Sequence, residues 1–332
     1  MVRYSSTLYI AFAWVLLFVG AIISIWFLVL NSADYTIGEG FDYEKTGQFG
    51  DYIGGVVGTV FALAGTILVF ASFVQQQHRN TIESFEKNYF EMLRVHEDIV
   101  REMNYGGKSS RAVFPMAIEQ LSSIYSQVFS ILEDIEQQLK DGELKNIGIS
   151  NEALKKFMED GDNKILANFL SVGFLYYGTE QFYLSSKKDD PFYAISELVK
   201  EYMPDFGYEP MDNVLGHYYR QMYQTVKYVV KADWLKEEER YDYVKLLRSQ
   251  LSDYEQMMLF YNAMSVNGYA WKESKSDTEI KEMNLIARFR LIKNIPYHCD
   301  YFFIHPKDVF SKEENVWKEK GKRFFENEIY TI

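Results

Sequence analysis

The sequence predicts an all-α protein, in which a two-helix transmembrane hairpin is followed by a helical cytoplasmic domain. Two long runs near the N-terminus carry no charged residue. Beyond them, apolar residues recur at steps of three and four, which is the spacing of an amphipathic helix. The chain has only 6 prolines and 20 glycines in 332 residues, which favours long uninterrupted helices. We assign residues 1–77 to the hairpin and residues 78–332 to the helical domain.

The two uncharged runs are Leu8–Leu30 and Tyr52–Val74. Each is long enough as a helix to cross roughly 30 Å of hydrocarbon. A cleaved signal peptide is the alternative reading of the first run. That run exceeds the usual apolar core of a signal, and the "NSADY" that follows is a poor cleavage site. The sequence therefore predicts two spans, at about residues 8–30 and 52–74.

The charges around the two runs predict their orientation. The linker Asn31–Asp51 carries five acidic residues and one lysine, whereas Arg3 and Arg79 lie on the outer flanks. Because Lys and Arg are enriched on the cytoplasmic side of membrane proteins, both termini are expected in the cytoplasm. The acidic linker is then expected outside.

Small residues line one face of the second run. Gly54, Gly58, Ala62 and Gly65 follow one another at steps of four and three. Such a face lets another helix approach closely, which is how helices associate in lipid. Two partners stay open at this point: the first span of the same chain, or a second copy of the chain in a homo-oligomer.

Helical patterns continue through the predicted cytoplasmic domain. No glycine or proline occurs between Thr66 and Asn104, so the second span is expected to continue as one helix. His96 lies on its apolar face, where a buried, hydrogen-bonded core histidine is favoured over a catalytic one. Further helices are predicted over Met116–Lys140, from the N-cap Asp190 onward, and over Gly216–Ala232, Lys236–Asn267 and Asp277–Lys293.

Known catalytic signatures are missing from the sequence. It contains no P-loop, no nucleophile elbow and no paired-cysteine zinc site, and it has one cysteine, Cys299. His298 and His305 make only a weak metal site, because they are seven residues apart and separated by aromatic residues. We therefore expect no metal and no cofactor. The net charge of −12 disfavours general nucleic-acid binding, although a local basic patch stays open.

Two polar helices carry the candidate site. Their residues are His217, Arg220 and Gln224 in "LGHYYRQMYQTVKYV", and Arg248, Glu255 and Asn262 in "LRSQLSDYEQMMLFYNAMS". If these helices pack together, Arg220, Arg248 and Glu255 can form a buried hydrogen-bonded network, since buried charges persist only when paired. A structural network that fixes the helix register is favoured over a ligand or catalytic site.

These blocks also carry a family resemblance. "GDYIGGVVGTVFALAG", "NYFEMLRVHEDIV", the two polar helices and "YFFIHP" occur in an order that resembles phage abortive infection membrane proteins, an AbiC-like family. Two-span proteins of this kind are also similar to effectors that accompany a retron reverse transcriptase and its DNA. The resemblance implies antiviral defence at a bacterial inner membrane. It brings no catalytic residues.

Three functions follow from these observations. The first is a non-enzymatic effector that perturbs or permeabilises the inner membrane on activation. The second is a membrane-tethered nuclease or nucleotide hydrolase with an unrecognised helical site near His217, Arg220, Arg248 and Glu255. The third is a membrane scaffold for a defence partner. The expected partners are the lipid bilayer, a second copy, and a defence protein or a reverse transcriptase with its DNA. Direct sequence-specific nucleic-acid binding is not expected.

Overall fold

The structure of the chain is a computed structural model that describes residues 2–30, 43–144, 149–182, 190–203, 207–272, 284–296 and 302–326. The chain divides into two units, Met1–Asn88 and Tyr89–Ile332. The described residues are mainly helical and contain almost no strand, which confirms the predicted all-α fold class. Residues 31–42 of the acidic linker, His298 and Cys299 lie outside the described residues.

The first unit is built from helices. Helix α1 spans Val2–Leu30 and α2 spans Tyr43–Tyr52. A short π-helix follows over Ile53–Val57, and α3 then runs over Gly58–Glu102. The predicted continuation of the second apolar run as one helix is confirmed, because no helix-breaking residue interrupts it before Asn104.

Helix α1 packs antiparallel to α3 in this hairpin. Gly20 lies against Val60, where an added Cβ would come within 3.2 Å of the valine Cγ1. Nearer the other end, the rings of Tyr9 and Phe70 meet edge to face at 5.4 Å. The most buried residues of the hairpin are small apolar ones: Ala13, Val57, Ala64 and Ala71. Small side chains let the two backbones come close.

The predicted glycine face is not the one that seats α1. Gly54 and Gly65 have open space where a Cβ would lie, and Gly58 meets only the carbonyl oxygen of Ile53 in its own chain segment. Ala62 is exposed. Of the two alternatives, packing of this stripe on the first span of the same chain gains no support from this geometry, and the role of the stripe stays a prediction. The buried positions of this part of the hairpin, Val57, Ala64 and Ala71, are seven residues apart and fall on another side of the helix.

By length and composition, two described helical stretches could cross a membrane: Thr7–Trp26 and the stretch Gly50–Glu102. Only 11% and 17% of their most apolar windows are buried within the protein. Large apolar side chains lie on the outer surface of both helices, among them Leu8, Trp14, Phe18, Val69 and Phe73.

Where the structure describes it, the second unit is a helical body with one small β-hairpin. Its longer helices are α4 (Val113–Asp141), α5 (Asn151–Asp160), α6 (Asn163–Gln181), α7 (Pro191–Tyr202), α8 (Asp212–Lys231), α9 (Glu237–Arg248) and α10 (Asp253–Ala263). Shorter ones follow: a 3-10 segment (Val266–Lys272), α11 (Leu285–Phe289), α12 (Pro306–Val309) and α13 (Ser311–Glu319). Helix α4 is central and contacts α5, α6, α7 and α10.

Three predictions for this body are confirmed. The helix predicted over Met116–Lys140 lies within α4, and seven of its apolar residues at steps of three and four are buried: Ile118, Leu121, Tyr125, Val128, Leu132, Ile135 and Leu139. The side chain of Asp190 caps α7 by accepting a hydrogen bond from the backbone N–H of Phe192, and Pro191 occupies the first turn. The helix predicted over Gly216–Ala232 corresponds to α8, whose buried face includes Tyr218, Met222 and Val226. Helices α5 and α6 were not predicted.

The glycines after α3 make a hairpin turn rather than a simple helix stop. Strands β1 (Asn104–Tyr105) and β2 (Lys108–Ser109) pair antiparallel across Gly106 and Gly107. Both glycines have positive φ, 55° and 75°, which a two-residue turn of this hand requires. The hairpin places the next residues beside α10.

The single helix predicted over Lys236–Asn267 is wrong. It is two helices, α9 and α10, separated at Ser249–Ser252. The break is encoded by a capping box: the Ser252 hydroxyl accepts from the backbone N–H of Glu255, and the Glu255 carboxylate accepts from the backbone N–H of Ser252. This local pairing ends the periodic pattern at "SDYE".

The helix predicted over Asp277–Lys293 is also wrong in extent. Residues 277–283 lie outside the described residues, and the described helix α11 ends at Phe289. Arg290 follows in the left-handed region, with φ 49° and ψ 48°, and this conformation terminates a helix.

Candidate functional site

A pocket of about 390 Å³ opens along one face of α8. Five residues of that helix line it: Asp212, Gly216, Tyr219, Arg220 and Tyr223. Their spacing of four, three, one and three residues places them on one side of a helix. An added Cβ on Gly216 would meet nothing within 4 Å, so the missing side chain keeps this part of the pocket open.

Other helices close the pocket. Helix α6 contributes Tyr176 and Tyr177, α10 contributes Asn262, and the 3-10 segment contributes Asn267 and Trp271. Five of the lining side chains in all are aromatic. The Trp271 ring meets the Tyr223 ring edge to face at 5.4 Å between centroids.

Gly268 fixes the 3-10 segment against α10. A Cβ at Gly268 would lie 2.0 Å from the carbonyl oxygen of Asn262, a distance that no side chain tolerates. The glycine therefore permits the close backbone contact that brings Asn267 and Trp271 to the pocket. The Tyr177 hydroxyl then donates to the Asn267 side-chain oxygen at 2.7 Å.

Two buried polar atoms around the pocket have no hydrogen-bond partner among the described residues. They are the side-chain oxygen of Asn262 and the hydroxyl of Tyr219. The Asn262 amide nitrogen does have one, since it donates to the Tyr176 hydroxyl at 2.9 Å. Burial raises the pKa of both Tyr176 and Tyr219 well above its usual value, so both phenols stay protonated.

A separate polar cluster surrounds the Glu255 carboxylate, which is fully buried. It accepts from the Arg111 guanidinium at 3.1 Å and from the Tyr218 hydroxyl at 3.1 Å, besides capping α10. Arg111 also donates to the carbonyl oxygen of Gln250 at 2.8 Å. The cluster connects three segments: the residues after the β-hairpin, α8 and the start of α10. Its role is therefore to hold these segments together.

His96 lies beside that cluster. It is buried, and its ring stands 4.9 Å from the Tyr218 ring. Burial and, to a smaller extent, the nearby Arg111 charge together lower the pKa of His96 to about 4. The predicted burial is confirmed, but the predicted hydrogen bonding is incomplete, because Nδ1 has no partner among the described residues.

Arg248 does not pair with Glu255. It is buried and donates to the carbonyl oxygens of Phe289 and Arg290 at 3.3 and 3.1 Å, and to the Tyr241 hydroxyl at 3.2 Å. A cation at the C-terminal end of a helix is favourable, because the last carbonyl groups carry partial negative charge. Arg248 therefore fixes the end of α11.

The six predicted site residues thus fall into four places. Arg220 and Asn262 line the pocket, Glu255 belongs to the polar cluster, and Arg248 holds the end of α11. The other two, His217 and Gln224, are exposed on α8. The Arg220 Nε donates to the carbonyl oxygen of Gly216 in its own helix, at 3.1 Å. The structure does not bring Arg220, Arg248 and Glu255 into one network.

Sequence reasoning missed Tyr176, Tyr177 and Trp271, which come to the pocket from other segments. Within α8 itself, one feature of the sequence indicated the pocket: Gly216 and Arg220 lie four residues apart and therefore share a helix face.

The parts of the chain that the structure describes contain no group of three metal-ligating side chains. His305 caps α12: its Nδ1 accepts from the backbone N–H of Lys307 at 3.2 Å. His298, the other histidine of the weak metal pair, lies outside the described residues.

The fold and the pocket define a class of protein: a helical body with a ligand-sized pocket, in a chain that also has two long apolar helices. Residues 211–300 match the family described as "Putative phage abortive infection protein". This confirms the resemblance to the AbiC-like family and supports a role in phage abortive infection. No curated protein matches the chain, and no solved structure does. The matched segment contains α8, α10 and most of the pocket lining.

Proposed function

We propose that this protein is a membrane-anchored abortive infection effector that perturbs the bacterial inner membrane when it is activated. One observation carries the proposal. The hairpin has large apolar side chains on its outer surface and small ones inside, and a monomeric soluble protein rarely exposes so much apolar surface. A lipid bilayer is the partner that fits two uncharged helical runs of this length.

The orientation is part of the proposal. Both termini are cytoplasmic and the acidic linker is outside, as the distribution of Lys and Arg indicates. The test is a Glu39→Cys substitution in a Cys299→Ser background, probed with an impermeant thiol reagent in intact cells whose outer membrane is permeable. Labelling without lysis supports the orientation, and labelling only after lysis overturns it.

The coupling between infection and membrane rests on α3. This helix contains both apolar hairpin residues and residues of the body, with no Gly or Pro after Gly65. A signal that prefers one arrangement of the body can bias the packing of the hairpin, by as much as its affinity differs between the two arrangements. A defence protein, or a reverse transcriptase with its DNA, is the kind of partner that can hold the effector inactive.

Self-association is the proposed role of the small-residue stripe. An added Cβ at Gly54 or Gly65 would meet open space, and Ala62 is exposed, so this face suits a second copy in the membrane. Clustered hairpins are one route to a permeable membrane.

The second candidate, a tethered nuclease or nucleotide hydrolase, required His217, Arg220, Arg248 and Glu255 at one site. Their separation in the structure favours the membrane effector. The decisive experiment records membrane potential and nucleic-acid integrity together in phage-challenged cells. Depolarisation before any nucleic-acid damage supports the effector; damage before depolarisation supports the enzyme. Cells that lack the protein are the control.

A further inference from the structure

The pocket along α8 combines features that point to one chemical class of ligand. Aromatic rings supply flat apolar surface for a planar group, and a volume of about 390 Å³ lies in the range of roughly 300–1,000 Å³ that small-molecule sites occupy. From Asp212 to Tyr223 the lined face of α8 extends about 16 Å, at 1.5 Å per residue. An elongated ligand therefore fits better than a compact one.

The unpartnered groups add a hydrogen-bonding requirement. The Asn262 side-chain oxygen is an acceptor without a donor, and the Tyr219 hydroxyl is without a partner among the described residues. Leaving such groups buried and unpaired is unfavourable. Both atoms are closed to solvent in this structure, so a ligand reaches them through a small movement of the surrounding side chains. A ligand edge that offers both a donor and an acceptor satisfies both.

The charged side chains of the pocket, Arg220 and Asp212, lie on its solvent side. Arg220 is exposed, and its guanidinium forms no ion pair with any carboxylate that the structure describes. Its hydrogen bond to Gly216 uses Nε, which leaves the two terminal nitrogens for an anion. Asp212 lies two turns earlier on the same face, where its carboxylate can accept from sugar hydroxyls.

We propose that this pocket binds a nucleoside phosphate. The base lies among the aromatic rings with its polar edge toward Asn262 and Tyr219, and the phosphate is bound by Arg220. A quaternary ammonium ion would use the rings but has no donor or acceptor for the two buried groups. Free phosphate would use Arg220 alone. A regulatory role for this ligand rests on the proposed function. The binding itself does not depend on it.

The test measures binding to the purified full-length chain in detergent by calorimetry. The probes are AMP, GMP, CMP and UMP, together with adenosine, ribose 5-phosphate and inorganic phosphate. We expect at least one mononucleotide to bind, and both ribose 5-phosphate and inorganic phosphate to bind at least about ten-fold more weakly than it.

Three variants assign the contacts. Arg220→Ala is expected to weaken mononucleotide binding about ten-fold and to leave adenosine binding unchanged. Asn262→Leu is expected to weaken both. Gly216→Leu fills the open space on α8 and is expected to abolish binding without lowering the melting temperature, which keeps the test valid if Asn262→Leu fails to fold. Gln224→Ala, an exposed position of the same helix, is the matched control.

Two results would overturn the inference. One is no mononucleotide binding up to on the order of 5 mM. The other is binding that Gly216→Leu and Arg220→Ala leave unchanged, which would place the ligand elsewhere. Because binding is measured without a membrane-potential readout, a nucleotide that binds to a protein that never depolarises cells would refute the proposed function and leave this inference standing.

Discussion

The hairpin and the body bury opposite kinds of residue. In the hairpin, alanines such as Ala64 are buried, while large side chains such as Leu63 are about half exposed. In the body, large side chains such as Phe260 and Tyr261 are completely buried. The body follows the rule of a protein folded in water. The hairpin follows the rule of helices that meet in lipid, where close packing of small residues stabilises contact.

The largest predicted effect comes from placing the same charge on the exposed surface of the hairpin and on that of the body. Leu63 and Phe90 are almost equally exposed, at 51% and 52%. If Leu63 faces lipid near the middle of a span, Leu63→Arg is unfavourable by about 3 kcal/mol or more, whereas Phe90→Arg faces water. We expect Leu63→Arg to lose membrane association and phage protection, measured by fractionation and plaque counts, and Phe90→Arg to keep both. Equal behaviour of the two variants would show that the hairpin does not lie in lipid.

A second prediction concerns pH and the buried His96. Its pKa is lowered from 6.5 to about 4 in the folded protein, so the unfolded chain binds more protons between these values. His96 therefore does not change the free energy of unfolding above pH 6.5. As the pH falls toward 4, the unfolded chain takes up the proton first, and the free energy of unfolding falls by about 3 kcal/mol in total. Chemical denaturation of the wild type and of His96→Phe at pH 7 and pH 4 measures it. The wild type should lose about that much more stability than the variant; parallel losses would contradict the shifted pKa.

A third prediction separates the two partners of an ion pair. Glu255→Ala removes the carboxylate half of the capping box of α10 and leaves the buried Tyr218 hydroxyl unpaired, which together are expected to destabilise the body by about 2–3 kcal/mol. Arg111→Ala leaves the fully buried Glu255 carboxylate with only the Ser252 N–H and the Tyr218 hydroxyl as partners, so it should cost at least as much, about 3 kcal/mol. The measurement is the free energy of unfolding of each variant. A loss of about 1 kcal/mol or less for Arg111→Ala would mean that the half-exposed guanidinium contributes little to stabilising the buried carboxylate.

The smallest predicted effect is that of Ala62→Leu in the small-residue stripe, which is compared with Ala64→Leu on the buried face. Ala64→Leu enlarges a buried position and should destabilise the hairpin by about 1–3 kcal/mol through overpacking. Ala62→Leu meets open space and should leave the isolated hairpin unchanged. If the stripe contacts a second copy, however, Ala62→Leu should reduce crosslinking between chains in the membrane. Unchanged crosslinking and full protection with Ala62→Leu would remove the stripe from the account.

Periodicity predicted the elements that depend on one segment at a time. The face of α4, the cap at Asp190 and the long α3 could all be read from residue spacing, because a helix determines which side chains share a face. The break before α10 was also encoded locally, in the Ser252–Glu255 pair, but the apolar pattern on both sides of it favoured one helix. At this position the capping box determines where the helix begins, and the apolar periodicity does not.

Long-range partners could not be predicted in the same way. Glu255 was expected near Arg248, which lies seven residues earlier, yet its partner is Arg111, far away in the sequence. The pocket likewise needs Tyr177 from α6 and Trp271 from the 3-10 segment. Helical phase shows which way a side chain points, but it does not show which other helix lies opposite. The stripe of Gly58 and Ala62 illustrates the same limit.

The most direct test of the central claim inserts a flexible Gly-Ser segment after Gln77, within α3, and follows membrane potential after phage challenge. The account predicts that the wild type depolarises before nucleic-acid damage, and that the insertion variant stays in the membrane with a folded body but neither depolarises nor protects. Full protection and depolarisation by the insertion variant would contradict a signal carried through α3, and protection by the wild type without depolarisation would contradict a membrane effector altogether.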